Sequence, residues 1–257
     1  MLLKLLSGSS LKTLEADLSL YSKQMKDLKR GPNLKSTKAM HQVVLNLLGR
    51  NNGDDPTHFI GDSMSQEDLK QARSETFWDA GVYFFQGVLF TYFGDHAQQA
   101  DAMLRNGHDY IAKIHVAASP IMMDYCLKGV SCFAMARRTR KKKYAKFGIL
   151  CRTRIKRWLD AGNPNVSRYD SLLEAEYMAY KGHNFAAIKH YEIAIMLAAR
   201  GGFQQDAAFA NERLGQYQIE VMKDVEEGIY RIGEAIKYWG CWGAAAKVHQ
   251  LEERYFQ

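Results

Sequence analysis

The sequence contains little proline and little cysteine. Only four of its 257 residues are proline, at positions 32, 56, 120 and 164. Long proline-free stretches rich in alanine, leucine, lysine, glutamate and methionine favour helices. The four cysteines, at positions 126, 132, 151 and 241, form no CxxC pair and no tight disulfide framework. Scattered cysteines in a chain of this size indicate free thiols in a reducing compartment, and we expect a cytoplasmic protein.

Long apolar runs are also missing. Apolar residues make up 47% of the chain, which is typical of a globular protein. The first ten residues hold an apolar run too short for the core of a signal peptide. Residues 77–93 are apolar almost throughout, but a membrane-spanning helix needs about 20 such residues. Because this run is shorter and includes Asp79 and Gln86, it predicts a buried central helix and no membrane span.

The motifs of catalysis are absent as well. The sequence has no GxxxxGK[ST] phosphate loop and no HRD or DFG motif. Glu174 and Glu176 are two residues apart and point to different faces of a helix, which does not favour paired-carboxylate catalysis. His183 and His190, with Glu192 nearby, are spaced as a conceivable metal pair, but no third ligand is placed, and His108 and His115 have no partner motif. We expect no enzyme activity, no cofactor and no metal.

Acidic residues are missing from one segment only. Residues 137–157, here called the basic segment, hold eleven of the 35 Lys and Arg residues and none of the 28 acidic ones. The rest of the chain is therefore slightly acidic. The segment predicts a partner-binding basic patch, whose members are Arg137, Arg138, Arg140, Lys141, Lys142, Lys143, Lys146, Arg152 and Arg154. Such a patch suits an acidic protein, an anionic lipid surface, nucleic acid or nuclear import. A solvated helix face that meets acidic residues elsewhere is the alternative. Nucleic acid is not favoured, because aromatic side chains do not alternate with the charges.

Apolar spacings of three and four residues predict helices over nearly the whole chain, and no convincing hairpin is found. Turn and cap residues divide the pattern: Gly31-Pro32, Ser65, Gly94-Asp95, Asn163-Pro164, Gly182 and Gly201-Gly202. The predicted helices span residues 11–30, 37–48, a short stretch after Ser65, 77–93, a stretch after Asp95, 120–137, the basic segment to about 160, about 164–181, 184–200, 205–222, 224–238 and 242–255.

A repeat is visible in the C-terminal part. The spacing of the second half of a tetratricopeptide (TPR) repeat occurs at Gly182, Ala187, Tyr191 and Ala194. A weaker form of the same pattern recurs at Gly228, Ile232 and Ala235. Alanines at a helix crossing allow two helix axes to come close together, and each helix pair leaves an apolar face for the next. We expect an all-α fold, a TPR-like right-handed solenoid of antiparallel helix pairs. It would form a single helical repeat domain over 1–257, with the sharpest repeat signal in 160–257 and a weaker N-terminal helical part in 1–60.

Several motifs of this C-terminal part carry a family resemblance. The stretches "AARGG", "DAAFANERLG" and "WGAAAKVHQLEERY" occur in this order. They resemble the C-terminal helical-repeat region of large multidomain signalling ATPases, which join an AAA-type ATPase module to a protein kinase, histidine kinase or nucleotide cyclase domain. "NPNV", "MARRTRKKKY", "VVLNLLG" and "YFGD" are similar to the algal, diatom-type members. The resemblance implies a non-catalytic tail of a longer protein, or a stand-alone relative of that tail.

We therefore expect a scaffold or regulatory module that binds other proteins, or the upstream domains of its own family, by docking a peptide or helix in a concave groove. The aromatic residues Phe84, Phe85, Tyr92 and Phe93 would line that groove or lie in the core. Binding of nucleic acid or an anionic surface through the basic segment is the alternative function.

Overall fold

A computed structural model describes residues 1–29, 31–107, 109–114 and 118–257 of the chain. Over these ranges the protein is helical and contains no strand, so that the predicted all-α class is confirmed. Its α-helices are α1 Leu2–Leu6, α2 Leu11–Asp27, α3 Gly31–Leu47, α4 Gln66–Ala72, α5 Thr76–Tyr92, α6 His96–Asn106, α7 Tyr110–Ile114, α8 Ala118–Thr139, α9 Lys142–Asp160, α10 Ser167–Lys181, α11 Asn184–Arg200, α12 Gln204–Tyr217, α13 Val225–Trp242 and α14 Ala245–Tyr255. A 3₁₀ turn covers Pro164–Val166 and a π-helix covers Gln218–Met222.

Most helix ends follow the local chemistry of the sequence. Ser65 caps α4 in a capping box with Asp68, as its position before two acidic residues predicts. Asp95 caps α6, and its side chain accepts a hydrogen bond from the Gln98 backbone N–H. Gly182 ends α10 in the left-handed conformation at φ +78°. These three predictions are confirmed, because short-range hydrogen bonds and backbone sterics decide them.

Other boundaries differ from the prediction. Helix α3 starts at Gly31, several residues early, and α8 starts at Ala118, before Pro120. Both helices hold their proline in the first turn, where the missing N–H would be unpaired anyway. Helix α13 continues to Trp242 and stops at Gly243, whose φ is +98°, so the last helix starts at Ala245 rather than at 242.

Helices that are consecutive in sequence pack on each other in the C-terminal part: α8 on α9, α10 on α11 and α12 on α13. Contacts between α8 and α10, and between α11 and α12, join these pairs. Helices α12 and α13 approach each other closely at two glycines, Gly215 and Gly228. A Cβ atom on Gly228 would lie 3.0 Å from the carbonyl oxygen of Gly215 and 2.4 Å from Cγ1 of Ile219. Only residues without a side chain permit this backbone contact.

The N-terminal half packs against these pairs. The Gln205 side chain donates a 2.8 Å hydrogen bond to the Leu6 carbonyl, and the Gln250 side chain donates to the Phe93 carbonyl at 3.2 Å. The Tyr92 ring lies 5.0 Å from the Trp239 ring, in contact with α13. Contacts between the N-terminal half and the C-terminal helices thus enclose a core that includes α5.

The aromatic residues of α5 and the residue after it belong to this core. Phe84, Phe85, Tyr92 and Phe93 are all buried, which decides between the core and the groove positions considered for them. The expected buried central helix over 77–93 is confirmed as α5, although Phe77 at its start is exposed. No helix within the described ranges is long and apolar enough to cross a membrane.

Candidate functional site

A cleft of about 680 Å³ opens where the C-terminal ends of α8 and α10 meet the start of α6 and the end of α12. Cationic side chains dominate its wall. They are Arg137, Arg138, Arg140, Lys181, Arg213 and Arg254. Glu220 is the one carboxylate among the described residues that line it. The cleft therefore has a strong excess of positive charge.

Glu176 of α10 is fully buried and holds two of these arginines in place. Arg213 of α12 donates from Nε to Oε1 of Glu176 at 2.7 Å, and Arg137 of α8 donates from Nη1 to Oε2 at 2.6 Å. Burial opposes ionisation of the carboxyl, but the two guanidinium groups outweigh it and lower the pKa of Glu176 to about 2. The ion triad joins three helices through a carboxylate that stays charged at neutral pH.

His96, at the start of α6, completes the hydrogen bonding of Arg213. Its Nε2 lies 3.3 Å from Nη1 of Arg213, and its Nδ1 lies 3.1 Å from Oγ of Ser131. Because an arginine nitrogen can only donate, Nε2 must accept and Nδ1 carries the proton. Burial and the neighbouring Arg213 keep the pKa of His96 well below its usual value, so the imidazole is neutral. Neither His96 nor Glu176 is placed to act as a free general base.

Three cations of the cleft have no such partner. Arg138, Arg140 and Lys181 are exposed, and no carboxylate in the described part of the chain lies within ion-pairing distance of them. Arg254 pairs only with Glu220, at 3.4 Å on the surface. The positive charge at the mouth is therefore largely uncompensated.

Two uncommon backbone conformations border the cleft. Arg140 follows α8 in the left-handed region, at φ +58°, where glycine is the usual residue. The π-helix Gln218–Met222 supplies Glu220 and Val221 to the lining of the cleft, and Lys223 ends it at φ +61°. Left-handed non-glycine residues and π-helical turns are both enriched at functional sites.

A second buried ion pair lies next to the cleft. Glu212 of α12 accepts hydrogen bonds from Nζ of Lys247 at 2.7 Å and from Nε1 of Trp239 at 3.1 Å. It therefore bridges α12 to α13 and α14. Asn211 instead donates to the Ala207 carbonyl within its own helix. Burial lowers the pKa of Lys247, while Glu212 opposes this shift.

The structure separates the predicted basic patch into different environments. Of its nine residues, only Arg137, Arg138 and Arg140 line the cleft. Arg152 pairs with Glu174, and Arg154 lies over the Trp158 ring at 5.5 Å. The remaining members are exposed and lie just before α9 or in its first turns: Lys141, Lys142, Lys143 and Lys146.

The sequence does not indicate the other basic residues of the cleft. They come from four separate segments and none belongs to a run of basic residues: His96, Lys181, Arg213 and Arg254. A basic residue in the last turn of a helix, as at Lys181, was the only local signal, and it is common to many helices.

The repeat-packing residues lie mainly inside the helix pairs. Ala187, Tyr191 and Ala194 of α11 are buried, as are Ile232 and Ala235 of α13. Gly228 is buried against α12, and the exposed Gly182 forms the turn between α10 and α11.

The described histidines and cysteines belong to no group that could hold a metal ion. Across the described ranges, no group of three or more His, Cys, Asp or Glu residues could hold a metal ion. His183 is exposed and His190 half-buried, while His108 and His115 lie outside the described residues. Cys126, Cys132 and Cys151 are buried, and burial raises the pKa of the Cys151 thiol to about 12.

Comparison of the chain with protein-family models, with curated proteins and with solved structures finds no match.

Proposed function

We propose that this chain is a non-catalytic interaction module, whose stacked helices present the cleft to an acidic segment of a partner protein. The observation that carries the proposal is the excess of cations in the cleft: six line it, and the carboxylates near them are Glu220 on its surface and the buried Glu176 behind Arg137 and Arg213. A concave, positively charged site with low-dielectric walls attracts acidic chains and speeds their association. The chemistry of the cleft fits binding, since His96 and Glu176 both accept hydrogen bonds from Arg213.

The finer architecture is part of this proposal. We infer that the pairs α8/α9, α10/α11 and α12/α13 form a TPR-like right-handed solenoid of antiparallel helices. Support comes from the contacts between successive pairs, and from the alanines and glycines at their crossings. On the motif resemblance, we place the chain as the C-terminal scaffold or regulatory part of a multidomain, ATP-dependent signalling protein. The partner segment would then belong to another protein or to such upstream domains.

A binding experiment with charge-matched variants tests the proposal. The probe is a fluorescein-labelled oligoglutamate peptide, and fluorescence anisotropy reports its binding. One triple variant removes the unpaired cleft cations by Arg138→Gln, Arg140→Gln and Lys181→Gln. The control removes three exposed cations of α9 by Lys142→Gln, Lys146→Gln and Arg157→Gln. Both variants lose the same net charge, so a general electrostatic effect changes both equally.

We expect the cleft variant to lower the peptide affinity by about tenfold or more, and the α9 variant to change it by less than about threefold. Equal losses would contradict docking in the cleft and favour diffuse attraction to the basic segment. Oligonucleotide binding that depends on the α9 cations, and falls steeply between about 50 and about 200 mM salt, would favour the nucleic-acid alternative instead.

A further inference from the structure

We infer that the cleft recognises a phosphorylated serine or threonine within the partner segment. This inference rests on the proposed function and narrows it to one chemical group. The cleft binds acidic chains through its charge, but three features of its wall suit a phosphate rather than a carboxylate. They are an arginine held in a fixed orientation, a group of cations without partners, and a backbone arranged at a conformational cost.

Arg137 is the oriented arginine. Only its Nη1 donates to Glu176, with hydrogen bonds of 2.6 Å to the side-chain carboxylate and 3.4 Å to the backbone carbonyl. Within the part of the chain that the structure describes, nothing accepts a hydrogen bond from its Nε or Nη2. Its side chain keeps 20% exposure at the cleft wall. The planar fork of an arginine matches the oxygens of a phosphate, and Glu176 fixes that fork before the ligand arrives.

Arg213 has the opposite role. Its Nε and Nη2 donate to Glu176, and its Nη1 donates to Gln216 at 2.8 Å. With the contact to His96 as well, little of its hydrogen-bonding capacity remains for a ligand. Arg213 therefore positions Glu176, which in turn positions Arg137, and we assign it no direct contact.

The unpaired cations indicate how much negative charge the ligand carries. Arg138, Arg140 and Lys181 reach the cleft without a carboxylate partner, and Arg137 adds a donor pair. A single carboxylate would leave most of this charge uncompensated. A phosphorylated side chain has a charge of about −1.5 to −2 at neutral pH and three acceptor oxygens, and it forms charge-assisted hydrogen bonds with several cations at once.

The backbone at Arg140 is the third feature, because it is arranged at a conformational cost. A left-handed arginine is less stable than a glycine in this place, and this arginine lines the cleft. The π-helix that supplies Glu220 and Val221 to the cleft also has a conformational cost, because regular α-helical pairing would give a more stable backbone. Both features lower stability, and both occur at the cleft.

Two acidic peptides of identical sequence, one with a central serine and one with phosphoserine, test the inference on the whole chain. We expect the phosphopeptide to bind about tenfold more tightly, because it adds one to three charge-assisted hydrogen bonds.

Arg137→Lys keeps the charge but loses the planar fork of the guanidinium, and it should reduce this preference to about twofold. Lys181→Gln, at an exposed residue, serves as a second variant that leaves the Glu176 triad intact, and it should also reduce the preference. Lys142→Gln on α9 is the control, and it should leave the preference unchanged.

The outcomes separate the inference from the proposed function. Equal affinity for the two peptides overturns the phosphate inference and leaves the acidic-segment proposal standing. Failure of both peptides to bind contradicts both. Inorganic phosphate, tested as a competitor, should displace the phosphopeptide only at concentrations far above the peptide dissociation constant. Displacement at similar concentrations would show that a free phosphate is the ligand, which overturns the assignment to a partner polypeptide.

Discussion

Arg213 and Glu176 meet in the interior of the protein, with Nε of Arg213 2.7 Å from Oε1 of Glu176. Their side chains are 7% and 0% exposed, so the ion pair is withdrawn from water. It ties α12 to α10, and the second arginine on the same carboxylate, Arg137, ties α8 to both. The cleft therefore depends on a buried triad, whose stability can be measured independently of any ligand.

Removal of the central carboxylate tests this dependence. Glu176→Gln leaves two guanidinium groups without a charged partner, and we expect it to lower the free energy of unfolding by about 3–5 kcal/mol. Glu174→Gln is the control on the same helix, because Glu174 pairs with the half-buried Arg152 nearer to solvent. It should cost roughly 1 kcal/mol or less. Urea denaturation gives both values, and equal losses would contradict the special position of Glu176.

Acid should act on the same carboxylate. The pKa of Glu176 is about 2 in the folded protein, below the ordinary value of about 4.3 in an unfolded chain. Its contribution to stability is therefore complete above about pH 4.3, and is lost as the pH falls towards 2. Between about pH 6 and pH 3, we expect the stability difference between the wild type and Glu176→Gln to narrow by on the order of 1 kcal/mol.

Other buried carboxyls, such as Asp124 and Asp206, have a raised pKa because of burial. They are common to the wild type and the Glu176→Gln variant, so their contributions cancel in the difference. A difference that stays constant or widens on acidification would contradict an ionised Glu176.

The helix crossing at Gly228 gives a third prediction. Gly228→Ala places a methyl group 2.4 Å from Cγ1 of Ile219 and 3.0 Å from the Gly215 carbonyl oxygen, and it should destabilise the fold by about 1–3 kcal/mol. Gly233→Ala in the same helix meets nothing within 4 Å. It should stabilise by about 0.5–1 kcal/mol, because alanine favours a helix interior. Thermal melts of the two variants should shift in opposite directions.

The left-handed backbone at Arg140 separates stability from binding. Arg140→Gly removes the steric cost and should raise the free energy of unfolding by up to about 1 kcal/mol. Lys223→Gly, at φ +61°, should give a similar gain. Only Arg140→Gly should weaken binding of the acidic peptide, since Lys223 does not line the cleft. Parallel denaturation and anisotropy titrations of both variants check this, and equal binding by both would exclude Arg140 from the site.

Local rules predicted much of the helical structure. Ser65, Asp95 and Gly182 were identified because caps and left-handed turns depend on residues within one helical turn. The start of α8 was missed because Pro120 is compatible with any position of the first turn. The π-helix after Tyr217 packs against α13, and no local pattern indicates it.

The cleft itself could be anticipated only in part. Charge density drew attention to residues 137–157, but it did not show that Arg137 faces inward while Lys142 faces solvent. The partner of Arg137 is 39 residues away, and that of Arg213 is 37 residues away. Such pairs depend on how the helices are stacked, and a sequence without its fold gives no reason to place Glu176 in the interior.

The central claim, that an acidic partner segment docks in the cleft, is tested most directly by mapping the bound peptide on the protein. Backbone amide chemical shifts of the ¹⁵N-labelled chain, recorded with and without the oligoglutamate peptide, locate the contact surface. The account predicts shifts over residues 135–140, 179–184 and 213–221, the three segments that contribute most of the cleft wall. Shifts confined to the outward face of α9, or none at saturating peptide, would contradict it.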